Sequence, residues 1–364
     1  SLMAIGGPMQ NLSTPFAQEI WADRTEAFCA PLDLVGYNYL DSRYASDLKI
    51  YPNRVICGTE SYPNQIDIVW DRVMQHDHVI GDFTWTSHDY IGEIGVGKVI
   101  YRDQGTEPVS RAVLQGGGFP HRTANCADFD LLGFDRPQLH YRKIVWGSDE
   151  TYIAVGKPEN FGKIAQTSAW GWEDLDATWS FENAVNKPIY FDVYSRAEEV
   201  EVFLNGQSLG KKEIGQKNKY QARYETVYQT GTLKAVSITN GEIISEVTLK
   251  SASIPSKIIL TTDKKELIAN GESLAYVTVE VVDQYDQRVP YVETQLKAYT
   301  EGAVTLQAFG SAQPITEENY TKGTFKTYQG RLMAVVRSGY DKGQAKLVVE
   351  SETFGTISLE FNVV

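Results

Sequence analysis

Two patterns of apolar and polar positions divide the chain. In the first ~145 residues, short apolar runs alternate with residues repeating on a helical period. Thr14-Pro15 supplies a cap and a first-turn proline, and Phe16, Ile20, Trp21, Ala27 and Phe28 follow at helical spacing. An extended run from Leu34 to Tyr39 comes next, then a helix around Ser42 to Ile50 that Tyr51-Pro52 stops. Val55 to Thr59 is nearly all apolar, as a strand covered on both faces is. A third helix carries Ile66, Val69, Trp70, Val73 and Met74 and leads into the strand-like run Val79 to Trp85. Strands alternating with helices in this way predict parallel α/β units.

Beyond that region the period is two. Tyr190 to Tyr194 and Val200 to Leu204 alternate, and Asn205-Gly206 between apolar runs is a hairpin signal. Leu233 to Ile238, Asn240-Gly241 and Ile243 to Leu249 repeat the pattern. Pro255 marks a break before a second set: Ile258 to Thr261, Ala275 to Val282, Leu296 to Tyr299, Leu332 to Val336, Ala345 to Val349 and Ile357 to Phe361. Each set predicts an immunoglobulin-like β-sandwich, without the Cys–Trp–Cys core of antibody domains. The expected domains are therefore 1–146, 147–252 and 253–364.

Composition narrows the function. The net charge of −13 repels phosphate backbones, so no nucleic-acid partner is expected. No apolar run approaches the ~20 residues of a membrane span. Cys29, Cys57 and Cys126 form no spaced pair, so neither a zinc site nor a closed disulfide framework is expected. Aromatic residues make up 12% of the chain, and such rings serve cores first but also stack on sugars.

In parallel α/β units, functional side chains gather at the carboxyl ends of strands. Glu60 ends one run, Tyr37, Asn38 and Tyr39 end the run before it, and Trp85 ends the run after it, with His88 and Asp89 just beyond. A carboxylate, an amide, phenols and an indole on one rim suit a sugar: the carboxylate attacks or stabilises, polar groups hold hydroxyls and rings stack on the sugar face. A solvated or capping glutamate before the helix that follows Pro63 is the plainer alternative for Glu60.

These residues resemble a known family. Asp33-Leu34-Val35-Gly36-Tyr37-Asn38-Tyr39, Tyr51 through Glu60, and Gly81-Asp82-Phe83-Thr84-Trp85-Thr86-Ser87-His88-Asp89-Tyr90-Ile91-Gly92-Glu93 are similar to glycoside hydrolase family 2, in its bacterial β-galactosidase-like branch. The likeness continues through Asp128 to Phe134, Trp170-Gly171-Trp172, Val200 to Gly210, Phe309 to Ala312 and Tyr328 to Arg331. The resemblance implies a partial (β/α)8 TIM barrel, about strands 5–8, followed by the two sandwiches. It implies Glu60 as the nucleophile of a retaining hydrolase acting on terminal β-galactosides. It also implies Asn38 and Tyr39 as substrate contacts, Tyr37 as a weaker alternative to them, and Trp85 as the floor of the sugar site. His88 and Asp89 follow on the next loop as further candidates, with no cofactor and no metal.

One departure from the family matters. Retention needs two carboxyl groups ~5–5.5 Å apart, and the family's acid/base glutamate usually lies in an Asn-Glu pair on the fourth strand. No Asn-Glu dipeptide precedes Glu60. The expectation is a C-terminal fragment, beginning near a fifth strand around Met3 to Gly7, inactive alone and able to pair with a second copy through the half barrel. A non-catalytic carbohydrate-binding or spacer module is the alternative. Other signals read as structural. Trp170 and Trp172 are expected in a sandwich core, Lys211, Lys212, Lys217 and Lys219 on a solvated hairpin, and Asp283, Asp286 and Glu293 outside any calcium loop pattern.

Overall fold

The computed structural model describes residues 15–364. The expected cap Thr14 and the strand expected around Met3 to Gly7 lie outside the described residues. Helix α1 (Pro15–Cys29) leads into β1 (Val35–Asn38), α2 (Tyr44–Ile50), β2 (Ile56–Ser61), α3 (Ile66–Met74) and β3 (Val79–Thr84). The three strands form one parallel sheet in the order β1-β2-β3. Right-handed crossovers through helices are the ordinary way to join parallel neighbours.

One face of this sheet is covered. Val35, Tyr37, Ile56 and Val79 pack with Tyr44, Val73 and Cys29 in a buried cluster between strands and helices. The opposite face is open: Ile80 is 63% and Phe83 66% exposed. The apolar runs predict burial on both faces, and among the described residues only one face has its cover. Cys29, Cys57 and Cys126 are free, buried thiols.

The rest is built on β-sandwiches that are antiparallel apart from one short parallel pair, 266–267 with 355–363. In the first, the sheet ordered 221–227, 188–194, 152–156, 175–176 lies against the sheet ordered 207–213, 199–204, 232–239, 242–250. Their inner faces share a core that includes Trp179, Phe191, Val200, Val202 and Leu233. Asn205 and Gly206, at φ 51° and 82°, make a two-residue turn with both φ positive, as do Asn240 and Gly241. In the second sandwich, a four-stranded sheet (257–262, 274–282, 331–338, 304–310) meets a five-stranded one (266–267, 355–363, 343–351, 295–302, 324–326) over Phe309, Phe325, Val277, Leu347 and Phe361.

Two short helices complete the connection, α4 (Arg111–Gln115) and α5 (Pro137–Val145). Helix α5 shares a buried cluster with α3 and the first sandwich, through Ile66, Tyr141, Ile144, Tyr190 and Tyr194. Strand 99–102 pairs with 164–167, a second tie between the α/β part and the sandwich. The second sandwich docks on loop 118–122: Arg122 N–H donates to Pro314 O at 2.9 Å, Thr316 N–H donates to Pro120 O at 3.0 Å, and Arg122 Nε donates to Thr316 O at 2.8 Å.

Candidate active site

The parallel sheet brings its carboxyl ends level. A register shift between Tyr37 and Asn38 sets Asn38 opposite Glu60 rather than opposite Thr59. Thr59 Oγ1 then donates to Asn38 Oδ1 at 2.6 Å, which fixes the amide's orientation. Tyr39 follows in the left-handed region at φ 57°, its N–H donating to Glu60 O at 2.7 Å. On the other side, Trp85 N–H donates to Ser61 O at 3.0 Å. Asn38, Tyr39, Glu60 and Trp85 thus share one rim, with Glu60 on the central strand and half-buried.

Aromatic side chains wall this rim. Tyr39 stacks on Tyr62 with ring centroids 4.3 Å apart, and both meet Trp170 edge-on at 5.8 and 5.2 Å. Trp170 Nε1 donates to the Tyr39 hydroxyl at 2.8 Å. Burial raises the Tyr39 pKa above the ordinary phenol range; the Trp170 N–H opposes this, and the hydrogen-bonded Glu60 carboxylate adds to it. Tyr39 therefore stays protonated and its hydroxyl donates to Glu60 while accepting from Trp170. Trp85 is held by its own Nε1, which donates to the Tyr90 hydroxyl at 3.2 Å; Tyr90 in turn donates to Glu93.

Trp170 departs from expectation. The sequence predicts it in a sandwich core, but it stands on the loop after strand 164–167 and reaches across to the sheet rim. Trp172 does pack inward, 5.3 Å from Tyr141. The spacing of two places both indoles together on an ideal strand, yet this segment is not a strand, and a Cβ added at Gly171 between them would lie 2.7 Å from the Thr167 side chain and 3.2 Å from Lys98 O. Tyr62 has no distinguishing sequence signal beyond its place two residues after Glu60.

Three candidate residues have other partners. Tyr37 points to the helix face and is buried; its hydroxyl donates to Asp47 and accepts from Arg54 at 3.2 Å, with Arg43 over its ring. Side chains alternate across a strand, so Asn38 and Tyr37 cannot serve the same face. His88 is exposed and stacks on Phe129 at 4.9 Å. Asp89 is buried, paired with Arg136 at 3.0 Å and accepting the Ala127 N–H at 3.0 Å. Burial pushes its carboxyl up to about 6, against the pull of Arg136. It anchors the 125–136 loop.

Beneath the rim, Ser61 Oγ donates to Asp82 Oδ2 at 2.7 Å, while Asp82 Oδ1 is buried without a hydrogen-bond partner. Burial raises the Asp82 carboxyl to about 6, with Ser61 and Arg142 pulling the other way. Among the described residues, no group of three or more His, Cys, Asp or Glu side chains is placed to hold a metal ion. No described helix is long and apolar enough to cross a membrane.

Comparison with known proteins gives this arrangement a context. Residues 258–360 match the model of the glycoside hydrolase family 2 C-terminal domain 5, and residues 186–245 match a domain of unknown function, DUF4982. A β-galactosidase of Bacteroides ovatus is 25% identical over 318 residues, covering 86% of this chain and 31% of its own length. A β-glucuronidase of Formosa agariphila is 24% identical over 270 residues, covering 72% of this chain and 25% of its own. A solved structure of a glycosyl hydrolase family 2 member from Bacteroides cellulosilyticus superposes with TM-score 0.82 at 37% identity, covering 94% of this chain and 43% of that one. The chain spans about a third or less of these curated relatives and under half of the solved structure.

Proposed function

The chain belongs to glycoside hydrolase family 2, and from that premise we propose that it carries the nucleophile half of a retaining glycosidase acting on terminal β-galactosides. The observation that carries this reading is Glu60, opposite Asn38 at the carboxyl ends of parallel strands and hydrogen-bonded by a protonated tyrosine. In the proposed reaction the Glu60 carboxylate attacks the anomeric carbon. The glycosidic C–O bond breaks, and the leaving oxygen takes a proton from a second carboxyl group. Water, deprotonated by that same group, then cleaves the glycosyl ester and frees Glu60. The Tyr39 hydroxyl aims the nucleophile, Asn38 holds a ring hydroxyl and Trp85 stacks on the sugar face. Tyr37, His88 and Asp89 are left out of this assignment.

We further read the parallel sheet as part of a (β/α)8 barrel, with its open face turned toward further strands. A neutral sugar suits the rim better than a uronic acid. Three arginines packed against the sheet are engaged on its helix face, Arg54 with Asp47 and Glu26, Arg43 with Asp47, and Arg142 with Asp128, while Arg111 lies near Tyr62 with its Nε donating to Gln115 Oε1 at 2.9 Å. The acid/base carboxyl is not assigned within these residues, so the 364-residue chain alone is expected to be inactive on an aryl β-galactoside.

The test uses a protein in which these residues are joined to the acid/base half. Incubation with a 2-deoxy-2-fluoro-β-galactoside, followed by peptide mass spectrometry, is expected to place the sugar on Glu60. Labelling of a different residue overturns the nucleophile assignment. Faster turnover of an aryl β-glucuronide than of the β-galactoside overturns the substrate class.

A further inference from the structure

Tyr39 reaches the Glu60 carboxylate through its hydroxyl, and a phenol has one proton to give. What else touches the oxygen decides where that proton points. Trp170 Nε1 lies 2.8 Å from it. An indole N–H can only donate, so the Tyr39 oxygen accepts from it and its own O–H is left for Glu60. Burial keeps the phenol protonated, so both bonds have a fixed direction. Accepting from the indole also polarises the O–H and strengthens the bond that it donates to the carboxylate.

Ring contacts hold the same geometry. Tyr62 stacks on Tyr39 at 4.3 Å, and the Trp170 ring stands at 88° to the first ring it meets and 73° to the second, Tyr39 and Tyr62 in turn. The phenol cannot swing out of line without breaking two of these contacts. Its backbone is tied to the strand of Glu60 as well, through the Tyr39 N–H and Glu60 O at 2.7 Å.

Trp170 is itself held from outside the parallel sheet. Strand 164–167 pairs with 99–102, and the Gly171 N–H turns back to donate to Ser168 O at 3.0 Å. Past the turn, the Asp174 N–H donates to the Tyr101 hydroxyl at 3.0 Å, so both sides of the indole are tied to strand 99–102. Trp172 adds an anchor on Tyr141. An indole gripped on both sides along the chain suits the support of a group that must stay in place.

We propose that Trp170 is a positioning residue for the nucleophile: its indole N–H, brought in on the loop between strands 164–167 and 175–176, orients the Tyr39 hydroxyl onto Glu60. The role rests on the reading of Glu60 as nucleophile. It makes the loop that feeds the first sandwich a part of the active site.

Two measurements separate the hydrogen bond from its role. In the 364-residue chain, the NMR signal of the Trp170 indole N–H is expected to move upfield in Tyr39→Phe, because its acceptor is gone. An unmoved signal overturns the proposal. Tyr39→Phe removes one oxygen alone, so this test holds even if Trp170→Phe does not fold. The second measurement uses the protein joined to the acid/base half, after the fluoro-sugar has labelled Glu60. There, Trp170→Phe is expected to lower kcat and kcat/KM for an aryl β-galactoside together, by about ten- to a hundredfold, with KM unchanged. Tyr39→Phe should lower them at least as much. Adding Trp170→Phe to Tyr39→Phe should then cost less than about twofold more, because the indole acts through the hydroxyl. Two losses that multiply in full overturn the positioning role. A raised KM with unchanged kcat overturns it too, and makes the indole a sugar contact instead. A label on another residue overturns the Glu60 reading and this role with it, leaving the indole signal to report the hydrogen bond alone.

Discussion

Glu60 and Asp82 are both carboxylic acids near the end of a parallel strand, and their surroundings separate them. Glu60 is half-buried at the rim with a tyrosine hydroxyl on it, as a nucleophile aimed by a hydrogen-bond donor would be. Replacing it by Gln removes the attacking oxygen with little change in volume. In the complete enzyme, Glu60→Gln is therefore expected to reduce turnover of an aryl β-galactoside by several orders of magnitude, with an unchanged melting temperature. Retention of a tenth of the activity rules out the role. Asp82 lies below the rim, 8% exposed, with its carboxyl raised to about 6 by burial. A carboxyl raised from its ordinary 3.8 contributes stability below that value, and the contribution is lost as pH climbs through about 6. Between pH 4 and 7 the loss amounts to at most ~3 kcal/mol. Asp82→Asn keeps an acceptor for Ser61 and cannot ionise. Its stability relative to the native chain should rise over that pH window, measured by urea unfolding. Asp89 titrates in the same window, and the difference between the two proteins cancels it.

The three-stranded parallel sheet depends on close approach at one position. Gly58, in the middle of β2, leaves no room for a side chain: an added Cβ would lie 2.4 Å from Asp82 Oδ1 and 2.7 Å from the Tyr44 hydroxyl. Both neighbours are buried and cannot swing into solvent. Gly58→Ala is expected to destabilise the α/β part by about 1–3 kcal/mol, as overpacking of a filled interior does. The same substitution at Gly81, with nothing within 4 Å of its added Cβ, should be tolerated. Urea unfolding followed by tryptophan fluorescence compares the two, and equal effects at both sites contradict the packing argument.

Across the whole molecule, the contrast lies between closed sandwiches and an open parallel sheet. Each sandwich buries its apolar alternation between two sheets, whereas among the described residues β1 and β3 are edge strands and Ile80 and Phe83 face outward. Unpaired parallel edges beside exposed apolar side chains favour association. The 364-residue chain in isolation is expected to pair with a second copy through this sheet. Light scattering at tens of micromolar that returns a monomer mass near 40.7 kDa contradicts this, as does a dimer unaffected by Phe83→Lys.

Much of this was legible from the order of residues. The helical period placed α2 and α3, and the Asn205-Gly206 and Asn240-Gly241 turns located two hairpins, because a two-residue turn with positive φ is a local demand that few residues meet. The strand-end location of Glu60, Asn38, Tyr39 and Trp85 followed from strand order alone, since every parallel strand presents its carboxyl end to the same rim. Other features arose only on folding. Tyr37 and Asn38 are neighbours with equally polar tips, and the register of β1 against β2 decided which faces Glu60 and which faces the helices. Trp170 reached the rim from 131 residues away in sequence, through a loop path that no period encodes. The docking of the second sandwich on loop 118–122 likewise belongs to no single segment. Local preference acts within a few residues, whereas a site built by packing separate units together is a property of the tertiary structure.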